Sequence, residues 1–346
     1  MEKSIYIFSD GELRRKGNTL YFEGPAGRKY VPVENVRELL IFGEVTINKK
    51  LLDFCSQQEI LLHFFNYYGY YSGTFYPREH YNSGYMILRQ AEHYLDTRRR
   101  IILAQAFVNG AVQNIRKVLT YYQNRGKTVN NWLKVIENLA DQINHVSTTD
   151  ELMAIEGNIR DQYYSAFDVI IEDEAFRFQK RTRRPPKNRL NALLSFGNSL
   201  LYTAVLSEIY KTHLDPRIGY LHTTNFRRFT LNLDVAEVFK PIIVDRVIFT
   251  LINKKMLSSK HFEQKLGGII LNEKGRQIFI SEYENRLKTT IKHERLKRNV
   301  SYRQLMLLEL YKIQKHIMGE KTYQPFIARW WYVCYSCLWC QSKKSS

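Results

Sequence analysis

Near residue 85 the apolar pattern of this chain changes period, and the two sides of the change admit different kinds of structure. Before it, Ser4-Ile-Tyr-Ile-Phe8, Thr19-Leu-Tyr-Phe22, Val45-Thr-Ile47 and Ile60-Leu-Leu-His-Phe-Phe65 are short runs rich in β-branched and aromatic residues, punctuated by Asp10-Gly11, Lys16-Gly17-Asn18 and Pro25-Ala26-Gly27. These predict strands joined by turns. From Met86 the spacing becomes helical: Leu95, Ile102, Ala106, Val112 and Ile115 mark a helix within Arg89 to Val118, Gly126-Lys-Thr interrupts it, and Trp132, Val135, Ile136, Leu139 and Ile143 mark another. One departure is expected at Ile269 to Ile280, where two apolar runs flank Asn272 to Gly275 and predict a small hairpin. Pro77, Asn82, Ser83 and Gly84 place the boundary within Tyr76 to Gly84. The expected class is α+β, with a β-sheet domain over 1–85, a larger and mostly α-helical domain over 86–331, and an extension over 332–346 of no evident role. A chain of 346 residues is long enough for two such domains.

Charge divides along the same line. Lys and Arg number 52 against 34 acids, a net +18, while an apolar share of 44% excludes a disordered polyelectrolyte. Residues 1–85 carry ten basic and ten acidic side chains, so the whole excess lies in residues 86–346. Any nucleic-acid surface is therefore expected chiefly in the second part. Met1 to Ile7 lacks the long apolar core of a secretory signal, and a cytoplasmic protein is expected. The longest uncharged stretch, Leu190 to Ser207, is interrupted by Asn191, Ser195, Gly197, Asn198, Ser199 and Thr203, which predicts a buried helix and no membrane span. Cys55 alone, with Cys334, Cys337 and Cys340 crowded near the end, makes no disulfide framework. The last three lack a local fourth ligand for zinc, so a frayed tail is the plainer reading.

Three distant stretches offer hard metal ligands: Glu156 in Ala-Ile-Glu-Gly-Asn-Ile-Arg, His222 in Gly-Tyr-Leu-His-Thr, and Asp234 with Glu237 in Leu-Asn-Leu-Asp-Val-Ala-Glu. One imidazole and two or three carboxylates suit Mg²⁺ or Mn²⁺ better than a thiophilic metal. Thr148-Thr-Asp-Glu151 fits a capping box, predicting a helix on which Glu156 lies half-buried beside Leu152, Ile155 and Ile159, sharing a face with Arg160 and Tyr163. Gly157 weakens a helix interior by roughly 0.5–1 kcal/mol, tolerable where a backbone or ligand comes close. On spacing alone the simpler account of Glu156 is a pair with Arg160 on a solvated face. His222 falls in a loop after Leu214-Asp-Pro-Arg, where a lone histidine is ordinarily just a satisfied polar group. Asp234 and Glu237 share a helical face and suit one cation, yet acids in a first turn are also favoured by the helix dipole, with Asn232 as the expected N-cap. Lys180 to Arg189 holds six basic residues in ten, ordinarily a solvated run but a phosphate clamp when it lies beside carboxylates.

The order of these segments carries a resemblance. Glu156-Gly, Arg184-Pro-Pro-Lys-Asn-Arg-Leu-Asn-Ala-Leu-Leu-Ser-Phe-Gly-Asn198, Leu214-Asp-Pro-Arg-Ile-Gly-Tyr-Leu-His222, Leu231-Asn-Leu-Asp-Val-Ala-Glu237 and Phe239-Lys-Pro follow a strand-rich start. With Gly17-Asn-Thr-Leu20, Gly43-Glu-Val-Thr-Ile47, Gly267-Gly268, Gly275-Arg276 and Tyr323-Gln-Pro-Phe326, the chain resembles the CRISPR-associated endonuclease and integrase family of spacer acquisition, over nearly all of residues 4–331. Its general look is that of a type I system, I-B. The resemblance ends after Trp331.

The resemblance implies a metal, Mg²⁺ or Mn²⁺, held by Glu156, His222 and Glu237, with Asp234 as the accompanying acid. It implies a homodimer formed through the N-terminal β domain. Two such dimers would be bridged by a dimer of the second CRISPR-associated protein, with double-stranded DNA, both spacer precursor and CRISPR array, as substrate. The implied chemistry is attack of a 3′-hydroxyl on a phosphodiester, with nuclease activity alongside. Charge clustering nominates Arg160, Lys180, Arg181, Arg183, Arg184, Lys187, Arg227 and Arg228 as DNA contacts, with Arg295, Lys297 and Arg298 as further candidates. Two rivals stand: a stand-alone metal-dependent nuclease acting on branched DNA without integration, and a non-catalytic DNA-binding scaffold.

Overall fold

The computed structural model describes residues 3–66, 68–77, 81, 83–224, 229–265 and 267–329. The strand-rich start forms β1 (Lys3–Ile7), β2 (Gly11–Lys16), β3 (Thr19–Gly24), β4 (Gly27–Pro32), β5 (Val36–Ile41), β6 (Val45–Thr46), helix α1 (Lys49–Gln57), β7 (Leu61–Phe65) and β8 (Tyr71–Phe75). One sheet has the order β1-β5-β7-β8, parallel except for β8, and the other the order β4-β3-β2-β6. β2, β4, β5, β8 and α1 were not among the expected elements. β5, Val-Arg-Glu-Leu-Leu-Ile, is a central parallel strand buried on both faces, so it shows no alternation of apolar and polar residues. Its side chains nevertheless alternate in destination. Leu39 and Ile41 join a small core with Ile7, Leu13, Leu20, Leu51 and Phe54, while Leu40 joins the core of the helical part.

That helical part comprises α2 (Gly84–Leu95), α3 (Thr97–Gln123), α4 (Asn130–Ala140), α5 (Thr149–Ser165), α6 (Phe167–Ile171), α7 (Arg189–Ile209), α8 (Leu231–Phe239), α9 (Arg246–Asn253), α10 (Glu273–Lys288) and α11 (Tyr302–Ile317). Two small hairpins interrupt it: β9 (Phe262–Lys265) with β10 (Gly268–Leu271), and β11 (Thr290–His293) with β12 (Arg298–Ser301). Ser83 caps α2, at the expected boundary. The helix expected over Arg89 to Val118 is two helices, because the Asp96 carboxylate accepts from the backbone N–H groups of Arg98 and Arg99 and starts α3. Leu95 and Ile102, beside that junction, are exposed. The expected hairpin at 269–280 is displaced: Gly268–Leu271 pairs backwards with Phe262–Lys265, and Asn272 caps α10 by accepting from Gly275 N–H. Gly275 is needed there, since a Cβ would lie 2.5 Å from the His261 carbonyl oxygen. α7 is long and apolar enough to cross a membrane, yet most of it is buried inside the protein.

A polar network ties the strand-rich start to the helices. Arg303 of α11 donates to Glu38 of β5 and Glu208 of α7, both at 2.7 Å, and to Ser4 at 3.1 Å. His63 of β7 bonds Thr74 and Ser207, each at 2.8 Å. Glu38 projects from the same face of β5 as Leu40, so the sheet face toward the helices carries both apolar and ionic contacts.

Candidate metal centre

The capping box expected at Thr148 is present and starts α5, which carries Glu156 and Arg160 one turn apart. α3 packs against both α5 and α8, bringing α5 alongside the helix that carries Asp234 and Glu237. Between them Arg160 is buried, its Nε donating to Glu156 Oε1 at 2.8 Å and its Nη2 to Glu237 Oε2 at 2.6 Å. The Glu156–Arg160 pair therefore does not lie on a solvated face. One guanidinium spans carboxylates from two helices. The other oxygen of Glu237 accepts from Lys240 Nζ, which is also buried. Burial alone would raise the Glu237 carboxyl, but Lys240, Arg160 and His222 outweigh it and hold it at about 2.

His222 lies in an irregular segment between α7 and α8 that is fastened from three sides. Gln90 of α2 bonds both the carbonyl and the N–H of Asp215, Arg100 of α3 donates to the Tyr220 carbonyl, and Asp234 of α8 gathers the rest. Its Oδ2 accepts from Tyr220 and Leu221 N–H at 2.5 and 3.0 Å, and its Oδ1 from His222 N–H at 3.0 Å and Nδ1 at 2.8 Å. Asp234 is fully buried and its oxygens are consumed, so this acid orients the imidazole and does not face a cation. A proton on Nδ1 leaves the Nε2 lone pair to ligate. Burial opposes protonation of His222, but Asp234 and then Glu237 prevail and raise it above its ordinary value. Asn232 is not the N-cap of α8; Thr230 holds that position, and Asn232 Nδ2 donates to the Tyr202 carbonyl.

Among the described residues no three acidic, histidine or cysteine side chains stand at metal-holding distance. Two cations, Arg160 and Lys240, occupy the carboxylates of Glu156 and Glu237. The donor set still fits a hard divalent ion, with carboxylates from two helices drawn to one guanidinium and an imidazole oriented by Asp234.

A model for the CRISPR associated protein Cas1 family matches residues 5–285. The chain belongs to the Cas1 family. It is 66% identical over 330 residues to a CRISPR-associated endonuclease Cas1 of Thermodesulfovibrio yellowstonii, covering 95% of this chain and 100% of that one. Among solved structures, a CAS1 protein from Thermotoga maritima superposes with TM-score 0.85 at 49% identity, over 94% of this chain and 100% of that one. A casposase bound to integration product shares the fold at TM-score 0.85 and 18% identity, over 98% of this chain and 99% of that one.

The basic residues of this Cas1 chain part company in the fold. Lys180, Arg183, Arg184 and Lys187 are exposed on the loop before α7, with Arg184 over the Tyr70 ring and Lys187 Nζ donating to the Gly267 carbonyl. Arg181 turns inward to Asn191 and Ser195, and burial lowers its affinity for a proton. Arg160, buried between carboxylates, is likewise no phosphate contact as it stands. Charge clustering in sequence could not separate these, because orientation depends on what the loop packs against. Arg227 and Arg228 lie outside the described residues, as do Cys334, Cys337, Cys340 and the extension over 332–346. Arg295 and Lys297 sit at the exposed tip of the β11–β12 hairpin, with Arg298 beginning β12. Lys240 and Asp245 were missed as site residues. Lys240 had a signal in its three-residue spacing from Glu237; Asp245 had none, and burial pushes its carboxyl up to about 7 against the pull of Arg160 and Tyr163.

Proposed function

We propose that this Cas1 chain is a metal-dependent DNA endonuclease and integrase that joins the 3′-hydroxyl ends of short duplexes to a CRISPR array. One observation carries the reading: Glu156 and Glu237, from separate helices, turn to one cation beside an imidazole held by Asp234. Glu156, His222 and Glu237 would hold Mg²⁺ or Mn²⁺, which supplies charge neutralisation at the phosphodiester and orientation of the attacking hydroxyl.

The chain's own residues have separate tasks. Asp234 keeps the His222 proton on Nδ1. Lys240 keeps Glu237 ionised. The exposed cations of the 180–187 loop are placed to take backbone phosphates without regard to base sequence. In the joining step a 3′-hydroxyl gives up its proton to solvent as its oxygen bonds to phosphorus, a P–O bond of the array breaks, and the departing oxygen takes a proton in return; water in place of the hydroxyl gives cleavage. Residues 1–85 are assigned to homodimer formation and 86–331 to DNA and chemistry. The family resemblance adds a dimer of the second CRISPR-associated protein bridging two such dimers.

The test is a strand-transfer assay with labelled short duplex and a supercoiled plasmid carrying a CRISPR array, in Mg²⁺ or Mn²⁺, with and without that partner. Label should join plasmid with wild type and not with His222→Ala, while DNA binding persists. Cutting that depends on His222 without any joining would favour the stand-alone nuclease. An active His222→Ala protein would refute the site.

A further inference from the structure

Behind the carboxylates lies a set of buried polar groups to which the proposed chemistry gives no task. Asp245 ends the π-helical turn Pro241–Asp245 that links α8 to α9, and neither of its oxygens has a hydrogen-bond partner. The Tyr163 hydroxyl and Arg160 Nη1 are also buried and unbonded. The Tyr163 hydroxyl lies close against the Asp245 carboxylate, short of a well-formed hydrogen bond, and both feel the charge of Arg160. Buried polar atoms in folded proteins are bonded almost without exception, and three unsatisfied ones gathered together call for a reason.

Arg160 supplies it. Two of its three nitrogens are spent on Glu156 Oε1 and Glu237 Oε2, the oxygens a divalent ion would need. When the ion arrives, the guanidinium must leave at least one of them. A guanidinium only 8% exposed is costly to leave without a counter-charge. Asp245 is a buried carboxylate with no bonded partner whose charge Arg160 already feels.

We propose that Asp245 is a positioning residue that receives the Arg160 guanidinium when a divalent cation takes the carboxylates of Glu156 and Glu237. The proposal rests on the metal reading above. Without a metal, Arg160 stands in for the ion and keeps two buried-side carboxylates from repelling each other. With it, Arg160 moves toward Asp245 and the Tyr163 hydroxyl, satisfying all three orphaned groups at once. Asp245 touches neither substrate nor ion and acts through Arg160 alone.

The test uses the full chain, with Mn²⁺ binding measured by the electron paramagnetic resonance of the free ion. Asp245→Asn keeps the shape and removes the charge, and should weaken Mn²⁺ binding about tenfold, as loss of a supporting shell commonly does. In an Arg160→Gln background there is no guanidinium to receive, and adding Asp245→Asn should change affinity by less than about twofold, the cycle isolating the coupling. Equal weakening in both backgrounds, or none in either, overturns the hand-over while leaving the metal reading intact. A wild type that takes up no Mn²⁺ overturns both. A wild-type crystal structure with Mn²⁺ reports independently of how the variants fold: Arg160 within hydrogen-bond distance of Asp245 supports the proposal, and Arg160 still on both carboxylates refutes it.

Discussion

Asp234→Asn separates two accounts of how this acid serves His222, because they predict opposite signs. The carboxylate accepts four hydrogen bonds, two on each oxygen, all from N–H groups. An asparagine has one acceptor oxygen and one NH₂. Tyr220 and Leu221 offer only backbone N–H groups, which cannot reverse, so the amide oxygen should settle on them and the NH₂ on His222. The imidazole can then accept at Nδ1, which moves its proton to Nε2 and removes the lone pair a metal needs. The His222 backbone N–H is left facing a donor, costing about 1–3 kcal/mol, and the two retained bonds lose about 1 kcal/mol each when a neutral acceptor replaces an ionised one. The sum is roughly 3–5 kcal/mol, measurable by urea denaturation of metal-free protein. Mn²⁺ affinity and strand joining should fall about 10–100-fold, at pH 6 as at pH 8. If Asp234 acted only through its charge, the substitution would undo the upward shift of His222 and free the imidazole at lower pH, so Mn²⁺ would bind more tightly at pH 6. Equal or tighter binding there would refute the tautomer argument.

Other outcomes follow from neighbouring contacts. A Cβ on Gly219 would lie 2.9 Å from Asp234 Oδ2 and 2.7 Å from the Thr230 carbonyl carbon, so Gly219→Ala should push the loop off Asp234 and lower metal affinity in the same direction, by the same Mn²⁺ assay. Arg303→Leu leaves buried Glu38 with hydroxyl and imidazole neighbours, while Glu208 keeps Arg37 and Lys211, and should cost about 3–5 kcal/mol at pH 7. Arg303 offsets the burial of Glu38 and Glu208 and holds both below the ordinary carboxylate value of 4.5, so their contribution is present above that pH and lost as pH falls through the depressed values. In the variant the same carboxyls gain from protonation, and its gap from wild type should narrow below pH 4.5 in paired denaturation curves. Alanine at Lys180, Arg183, Arg184 or Lys187 should each lower the slope of log affinity for DNA against log salt by about one if that residue contacts a phosphate. Arg181→Ala should leave the slope alone and lower the melting temperature, since its guanidinium bonds Asn191 and Ser195.

Much of this architecture was legible in short-range pattern. The period change near residue 85, the turn glycines and the Thr148 capping box act over a few residues, and the elements follow them. β5 escaped because a strand buried on both faces has no alternation to detect, and the 269–280 hairpin was displaced because Asn272 is a helix cap as well as a turn former. The candidate ligands were legible as residue types and, through their order, as a family resemblance. Their partners were not. The strand-then-helix order, the placement of excess charge beyond residue 85, and the presence of Glu156, His222, Asp234 and Glu237 on or beside helices follow from residue order and local pattern. It took the packing of the helices to show that Arg160 faces two carboxylates, that Asp234 holds an imidazole, and that Lys240 and Asp245 belong to the same cluster. These depend on which helices α3 brings together and on what each side chain meets when water is excluded, and neither is written in the spacing of neighbours along the chain.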